Sequence, residues 1–187
     1  MGRKVTVRDK ILETAATLFY NQGYVQTGIN QIVAEADIAI GSLYKHFKSK
    51  NDLLYSYLEQ EDSRFFTTLD AKLAPKKTPR EKLMAYIDFR IDQQKNGNCA
   101  GCHFIKINAE IGRTDEEVQR LVQKHKEKQK HLIKKLVTEI QPSKNNFDAK
   151  QLTEIIFTMI EGGVVAATIN GNTRSLEEIK KLVDKLI

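Results

Sequence analysis

Residues 27–50 read Thr-Gly-Ile-Asn-Gln-Ile-Val-Ala-Glu-Ala-Asp-Ile-Ala-Ile-Gly-Ser-Leu-Tyr-Lys-His-Phe-Lys-Ser-Lys, and this stretch decides the fold. Ile29, Ile32, Val33 and Ala36 give a first short helix one apolar face, with Thr27 expected to cap it. A tight connection at Ala36-Asp37-Ile38 leads to a second short helix, which turns Ile38, Leu43 and Phe47 inward. Two short helices crossing over such a turn form the unit that lays its second helix in a major groove. The outward residues of that helix are Gly41, Ser42, Lys45 and His46, with Tyr44 at the flank. Small and hydrogen-bonding side chains suit a surface that approaches base edges and phosphates. Lys48 and Lys50 follow at the next helix N-terminus, whose dipole favours an anion.

Outward from this core the chain reads as all-α. Before it, Val7 to Asn21 carries Ile11, Leu12, Ala15, Leu18 and Phe19 at helical spacing, stopped by Gly23. After it, helices are expected from Lys50 to Leu73, over 79–95, 102–111 and 115–141, and over 147–170 and 175–187. Pro75 to Pro79, Gly97 to Gly101, Gly112 and Pro142 supply the breaks. Thr78, Thr114 and Ser175, each with Glu three residues on, predict full capping boxes, and Thr6 and Ser49 precede Asp9 and Asp52 in the same register. About nine helices result, with no alternating strand pattern. Residues 1–50 are expected to form the helix-turn-helix domain and 51–187 a helical effector-binding and dimerisation domain.

Composition bounds the function. The chain has 187 residues, 41% hydrophobic and 29% charged, enough for a real core. Its formal charge of +6 is compatible with nucleic acid, and residues 1–50 hold seven Lys and Arg against four acids. The apolar runs fall short of the ~18 residues that a membrane span requires. No secretory signal is read at the N-terminus, and a cytoplasmic location without membrane association is expected. In the 115–141 helix, Val118, Leu121, Val122, His125, Leu132, Ile133, Leu136, Val137 and Ile140 share one stripe. The lysines of Arg120 to Lys135 are therefore expected on a solvated outer face, and His125 in the core.

The stretch from Gly23 to Leu53 resembles the N-terminal domain of the TetR/AcrR family of bacterial repressors. Gly23, Tyr24, Thr27, Ile32, Ala36, Gly41, Ser42, Leu43, Tyr44, His46, Phe47, Lys50 and Leu53 carry the resemblance. It implies phosphate contacts at Thr27, Tyr44, His46 and Lys50, and positions near the bases at Ala39, Ile40, Ser42 and Lys45, with Gly41 on the same surface. Two departures lie in the turn: Asp37 stands where the family has Gly, and Ala39 where it has a capping Ser. Asp tolerates the left-handed conformation or can itself cap the next helix. The apolar Ile40 stands at a position that is often polar, suited to a thymine methyl.

The resemblance further implies a homodimer on a palindromic double-stranded DNA operator, a repressor released by a small molecule, and neither cofactor nor bound metal. Leu152, Ile155, Ile156, Met159, Ile160, Gly163, Ala166, Ala167, Ile179 and Val183 on the last two helices are the expected dimer interface. Tyr57, Phe65, Phe66, Tyr86, Phe89, Cys102, His103 and Phe104 are the expected effector-site residues. Cys99-Ala100-Gly101-Cys102-His103 admits several readings: a disulfide, a reactive thiol, part of a zinc site, or buried structural cysteines. Gly101, Cys102, Ala109 and Glu110 also resemble a branch of the family with electrophile-responsive repressors, which makes oxidation or alkylation at Cys99 or Cys102 an alternative signal. An enzyme of the thiol–disulfide class needs strands that the sequence does not offer. A bundle metal protein needs Glu-x-x-His pairs, which are lacking.

Overall fold

The computed structural model describes residues 5–140 and 147–187. The expected stop at Pro142 and the basic start at Arg3 and Lys4 lie outside the described residues. Those residues form nine helices and no strand: α1 (Val7–Gln22), α2 (Ile29–Glu35), α3 (Ile40–His46), α4 (Lys50–Leu73), α5 (Pro79–Asn96), α6 (His103–Ile111), α7 (Glu116–Ile140), α8 (Ala149–Asn170) and α9 (Arg174–Leu186). The all-α expectation holds, with each helix within two residues of its expected bounds.

Helix ends follow from local chemistry. Thr6 and Thr78 make reciprocal capping boxes with Asp9 and Glu81. Asp148 makes a third with Gln151. Two expected boxes are corrected. Thr114 turns its hydroxyl back to the Ile111 carbonyl, and Asp115 Oδ1 takes the Val118 amide instead. Ser175 lies inside α9, preceded by Thr173, whose hydroxyl donates to the Glu177 carboxylate. At α7 the reason is that Asp caps a helix as well as Ser or Thr does, so the adjacent Asp115 displaces the Thr114 hydroxyl.

Two compact units result: Met1–Ser63 with His103–Gln123, and Arg64–Cys102 with Lys124–Ile187. In the first, Ile11, Leu12, Phe19, Ile32, Leu43, Phe47, Leu53 and Leu54 are buried. In the second, Leu69, Leu83, Tyr86, Ile133, Val137, Leu152, Ile156, Ile160 and Val164 form a continuous core. Gly163 lets α9 come close, since a Cβ there would lie 2.6 Å from the Ile179 side chain. The helix α8 is long and apolar enough to cross a membrane by length and composition, which corrects the reading that no such run exists. Its buried face packs against α5 and α9 within the unit.

Candidate nucleic-acid interface and a buried polar cluster

Of the α3 side chains, only Leu43 is fully buried, and Phe47 closes the same core just past the helix. That anchoring leaves Ala39, Ile40, Gly41, Tyr44, Lys45 and His46 exposed and Ser42 half-buried. Ile40 is 47% exposed and Tyr44 50%, large values for such side chains that no packing role explains. Asp37 adopts φ 46°, so of its two expected roles the left-handed turn is the one found. The helix N-cap is Ala39, with no side-chain hydrogen bond.

Two expected phosphate positions are arranged differently. Thr27 is fully buried, its hydroxyl donating to the Gly23 carbonyl at 2.6 Å, and the N-cap of α2 is Gly28, without a side-chain hydrogen bond. The proposed cap and an outward hydroxyl are therefore both absent, because the hydroxyl closes the α1–α2 turn. Lys50 places its Nζ 4.1 Å from the centre of the Tyr24 ring, and burial pushes its pKa down against the opposing charge of Glu110. The start of α4 is occupied from within: Ser49 Oγ accepts the Asp52 amide, and Asp52 Oδ2 accepts the Lys48 amide.

A carboxylate that sequence reasoning assigned no structural role holds the α1–α2 turn. Glu110 on α6 accepts the Tyr24 amide at 3.2 Å and the Val25 amide at 2.8 Å. Gly23, at φ 93°, faces it, and a Cβ there would come within 2.8 Å of Glu110 Oε1. The Lys106 ammonium donates to the Tyr20 carbonyl near the end of α1. Asp115 accepts from Asn51 and Tyr55, and Asn51 accepts the Tyr24 hydroxyl at 2.6 Å. Burial first, then Asp115, pushes Tyr24 up to about 12, so the phenol stays neutral and donates. Helix α6 is thus bonded directly to the segment that leads into the helix-turn-helix, and Asp115, just before α7, reaches Tyr24 through Asn51.

The expected effector residues fall into two sets. In the first unit, Tyr57 OH lies 2.6 Å from His103 Nδ1, the His103 ring stacks on Tyr20, and Glu61 stands 3.8 Å from Nε2. Phe104 is buried in its own core. The second unit holds Phe65, Phe66, Tyr86, Phe89 and Cys102. Phe65 meets Phe66, Phe89 and His125 edge to face.

Beside those rings lies a polar cluster. Arg90 on α5 is 1% exposed. Its Nη1 donates to Gln129 Oε1 at 2.6 Å and stands 3.4 Å from Glu161 Oε1. Gln129 Oε1 also accepts the Tyr86 hydroxyl at 2.8 Å, and its Nε2 faces His125 Nε2 at 2.7 Å. With the Gln129 oxygen committed to two donors, its amide nitrogen donates, so His125 Nε2 accepts and carries no proton. Lys126 Nζ reaches Glu161 Oε2 at 2.5 Å and Cys102 Sγ at 3.6 Å. Arg90 Nε and Glu161 Oε1 are buried without a hydrogen bond. Burial alone would raise the Glu161 pKa; Arg90 and Lys126 outweigh it and hold the group below the usual carboxylate range. Burial pushes Tyr86 up to about 12 despite Arg90.

Lys126 corrects the expectation that every lysine of the basic stretch faces solvent, whereas Lys124, Lys128, Lys134 and Lys135 do. Both cysteines are free, which removes the disulfide reading, and Cys99 is buried where Cys102 is half-buried. Asn98 and Cys99 hold φ of 51° and 56°, a strained entry into this loop.

Residues 11–56 match the family model for bacterial regulatory proteins of the tetR family, and residues 79–183 match the tetracyclin repressor-like C-terminal domain. The chain belongs to the TetR family. It is a helix-turn-helix DNA-binding transcription regulator. The fatty acid metabolism regulator protein of Bacillus subtilis (strain 168) is 24% identical over 183 residues, covering 95% of this chain and 92% of that protein. The uncharacterized HTH-type transcriptional regulator YxaF of the same organism is 29% identical over 188 residues, covering 95% of each. Among solved structures, the reduced form of E. coli NemR superposes with a TM-score of 0.83 at 20% identity, covering 97% of both chains.

Within this TetR-family chain, the last two helices divide their apolar residues. Leu152, Ile156, Ile160, Gly163, Ala167 and Val183 are buried inside the unit and cannot meet a second copy. Ile155, Met159, Ala166 and Ile179 are half-buried, and Val165, Ile169 and Leu182 are exposed. The most apolar stripe of each helix packs the chain's own core, and the next stripe round is left outside.

Proposed function

We propose that this regulator is a cytoplasmic homodimeric repressor, released from a palindromic operator when a small molecule occupies the helical body of residues 51–187. The observation that carries the reading is the polar cluster of Arg90, Gln129, Lys126 and Glu161, set beside aromatic rings in an otherwise apolar core. Buried polar groups without partners cost about 1–3 kcal/mol each, a burden that a structural core has no reason to carry. Aromatic rings at Phe65, Tyr86 and Phe89 beside a few convergent polar groups are the chemistry of a small-molecule site.

Ala39, Ile40, Ser42 and Lys45 face the bases in this reading, and Tyr44, His46 and Lys50 the phosphates. Dimerisation uses the exposed ridge of Val165, Ile169 and Leu182, extended by the half-buried Ile155, Met159 and Ile179. Two recognition helices must then stand about 34 Å apart to engage a palindrome. A ligand that prefers a conformation with another spacing lowers operator affinity by the same coupling free energy that the operator imposes on the ligand. Glu110 and Lys106 supply a route, because any movement of α6 pulls on the end of α1 and the α1–α2 turn through three hydrogen bonds. Fluorescence anisotropy on the DNA upstream of its own gene tests the repressor. A complex much tighter than that with random DNA at the same salt supports it, and equal affinity for both sequences removes it.

A second reading rests on Cys102. The thiol is half-buried and touches Lys126, so its oxidation or alkylation would disturb the Lys126–Glu161 pair directly. The NemR structure is described as a reduced form, which marks that protein as one with a redox state to specify. Operator release by an alkylating agent that vanishes in Cys102→Ser supports this signal; identical release from the variant excludes it.

A further inference from the structure

The polar cluster is unbalanced in one direction. It contains two permanent cations, Arg90 and Lys126, and one carboxylate, Glu161. The Gln129 oxygen already accepts from Tyr86 and Arg90, which uses both of its lone pairs. His125 Nε2 is taken by the Gln129 amide. The acceptor capacity left beside Arg90 is Glu161 Oε1, which stands 3.4 Å from Nη1 without making a hydrogen bond. Arg90 Nε, at a side chain 1% exposed, has no acceptor. The site therefore has one positive charge and at least one fixed N–H donor in excess.

We infer that Arg90 and Lys126 receive the carboxylate of an organic acid whose apolar body lies among Phe65, Tyr86 and Phe89. A guanidinium presents its N–H groups as a planar fork that matches the two oxygens of a carboxylate, and Lys126 adds a point charge. One negative charge neutralises the excess, whereas a phosphate dianion would overshoot it. The rings set the other end: Arg90 lies 5.6 Å from the centre of the Phe65 ring, and Phe65 meets Phe89 at 5.0 Å. Glu161 acts as the resident competitor. In the empty site it holds Lys126 and partly neutralises Arg90, so an entering acid shares both cations with it. This assignment rests on the reading that the cluster is the effector site and names the chemical class of the effector.

Isothermal titration of the full-length protein with benzoate and octanoate, against benzamide and octanamide, tests it. The acids are expected to saturate one site per chain, and the neutral amides to bind about tenfold more weakly or less. Lys126→Met should weaken the acids about fivefold and leave the amides unchanged. Glu161→Gln removes the competitor and should strengthen the acids about threefold, a gain that structural damage does not produce. Circular dichroism confirms that both variants keep the helical fold. Acids and amides binding alike, no acid binding below about 10 mM, or an acid affinity indifferent to both substitutions would overturn the inference. Operator binding separates this from the effector reading. Acid binding that leaves operator affinity unchanged upholds the carboxylate site and removes it as the switch. Release by a neutral molecule at the same cluster, with no acid bound, upholds the switch and removes the carboxylate.

Discussion

The outer face of α3 and the cluster around Arg90 are both polar, yet they are built on opposite terms. Ile40, Tyr44, Lys45 and His46 are exposed, and none is needed to hold α3, which Leu43 and Phe47 anchor from the other side. Arg90, Gln129, Lys126 and Glu161 are packed in a core and bonded to one another across three helices. The first surface can change its side chains without changing its shape. The second cannot lose one member without stranding another. The proposed function draws on both: a reader that substitution can retune, and a sensor whose occupancy alters packing.

Breaking the cluster should give the largest effect. Arg90→Met leaves Glu161 with one cation and Gln129 with a vacant acceptor, and should cost about 3 kcal/mol in urea denaturation. The double variant Arg90→Met, Glu161→Met removes the stranded carboxylate and should recover more than half of that loss. A double variant as unstable as the single one would show that packing volume, not charge, is at stake. The same pair sets a pH signature. Because Glu161 is held below the usual carboxylate range, its contribution to stability is complete above about pH 5 and fades as pH falls through its own lower value. Glu161→Gln should flatten that acid limb of the stability profile.

The α6 clamp comes next. Glu110→Ala removes two bonds from the Tyr24 and Val25 amides and should destabilise the first unit by about 2 kcal/mol, with a parallel loss of operator affinity. Hydrogen exchange at those two amides reads the effect directly. Substitution on α3 should behave in the opposite way. Tyr44→Ala or Lys45→Ala should leave the melting temperature within the scatter of surface substitutions, about 0.5 kcal/mol, while weakening operator binding about tenfold. For Lys45→Ala the salt slope should fall by about one unit if the ammonium meets a phosphate. A stability loss at either residue would make the face structural and collapse the contrast.

The same contrast explains what the sequence could carry. The helix-turn-helix was legible because its signals are local: apolar spacing at Ile32, Ala36 and Leu43, a left-handed turn at Asp37, a stop at Gly23. The position of the cluster was half legible. Arg90 lies on the apolar stripe of Leu83, Tyr86 and Ile87, and Gln129 stands four residues beyond the buried His125. A polar residue on such a stripe announces a buried polar group, but not its partner, which comes from another helix. Glu161 and Lys126 belong to that second kind of information, as does Glu110 on α6. Thr27 departs from its expected outward place for a related reason: a hydroxyl next to a turn can serve the chain itself, and here it closes the α1–α2 turn. Leu152, Ile156, Ile160, Gly163 and Ala167, expected at a dimer interface, are buried because the most apolar face of α8 packs the core of its own unit.

The smallest effect separates reader from scaffold within the turn itself. Asp37 sits at φ 46° with its side chain almost fully exposed, and its ion pair to Lys10 at 3.9 Å is a surface contact worth little. Asp tolerates the left-handed region better than most residues, and Gly occupies it without a Cβ penalty. Asp37→Gly therefore exchanges relief of backbone strain against greater freedom of the unfolded chain, and the net change in stability should stay within about 0.5 kcal/mol. Its effect on DNA should be larger than its effect on folding. Removing a carboxylate one turn from α3 takes away repulsion toward the phosphates, so operator affinity should rise about twofold at low salt and return to the parent value as salt is raised. An affinity gain that persists at high salt would mean instead that the turn geometry had changed, and that the orientation of α3 depends on Asp37 as well as on Leu43 and Phe47.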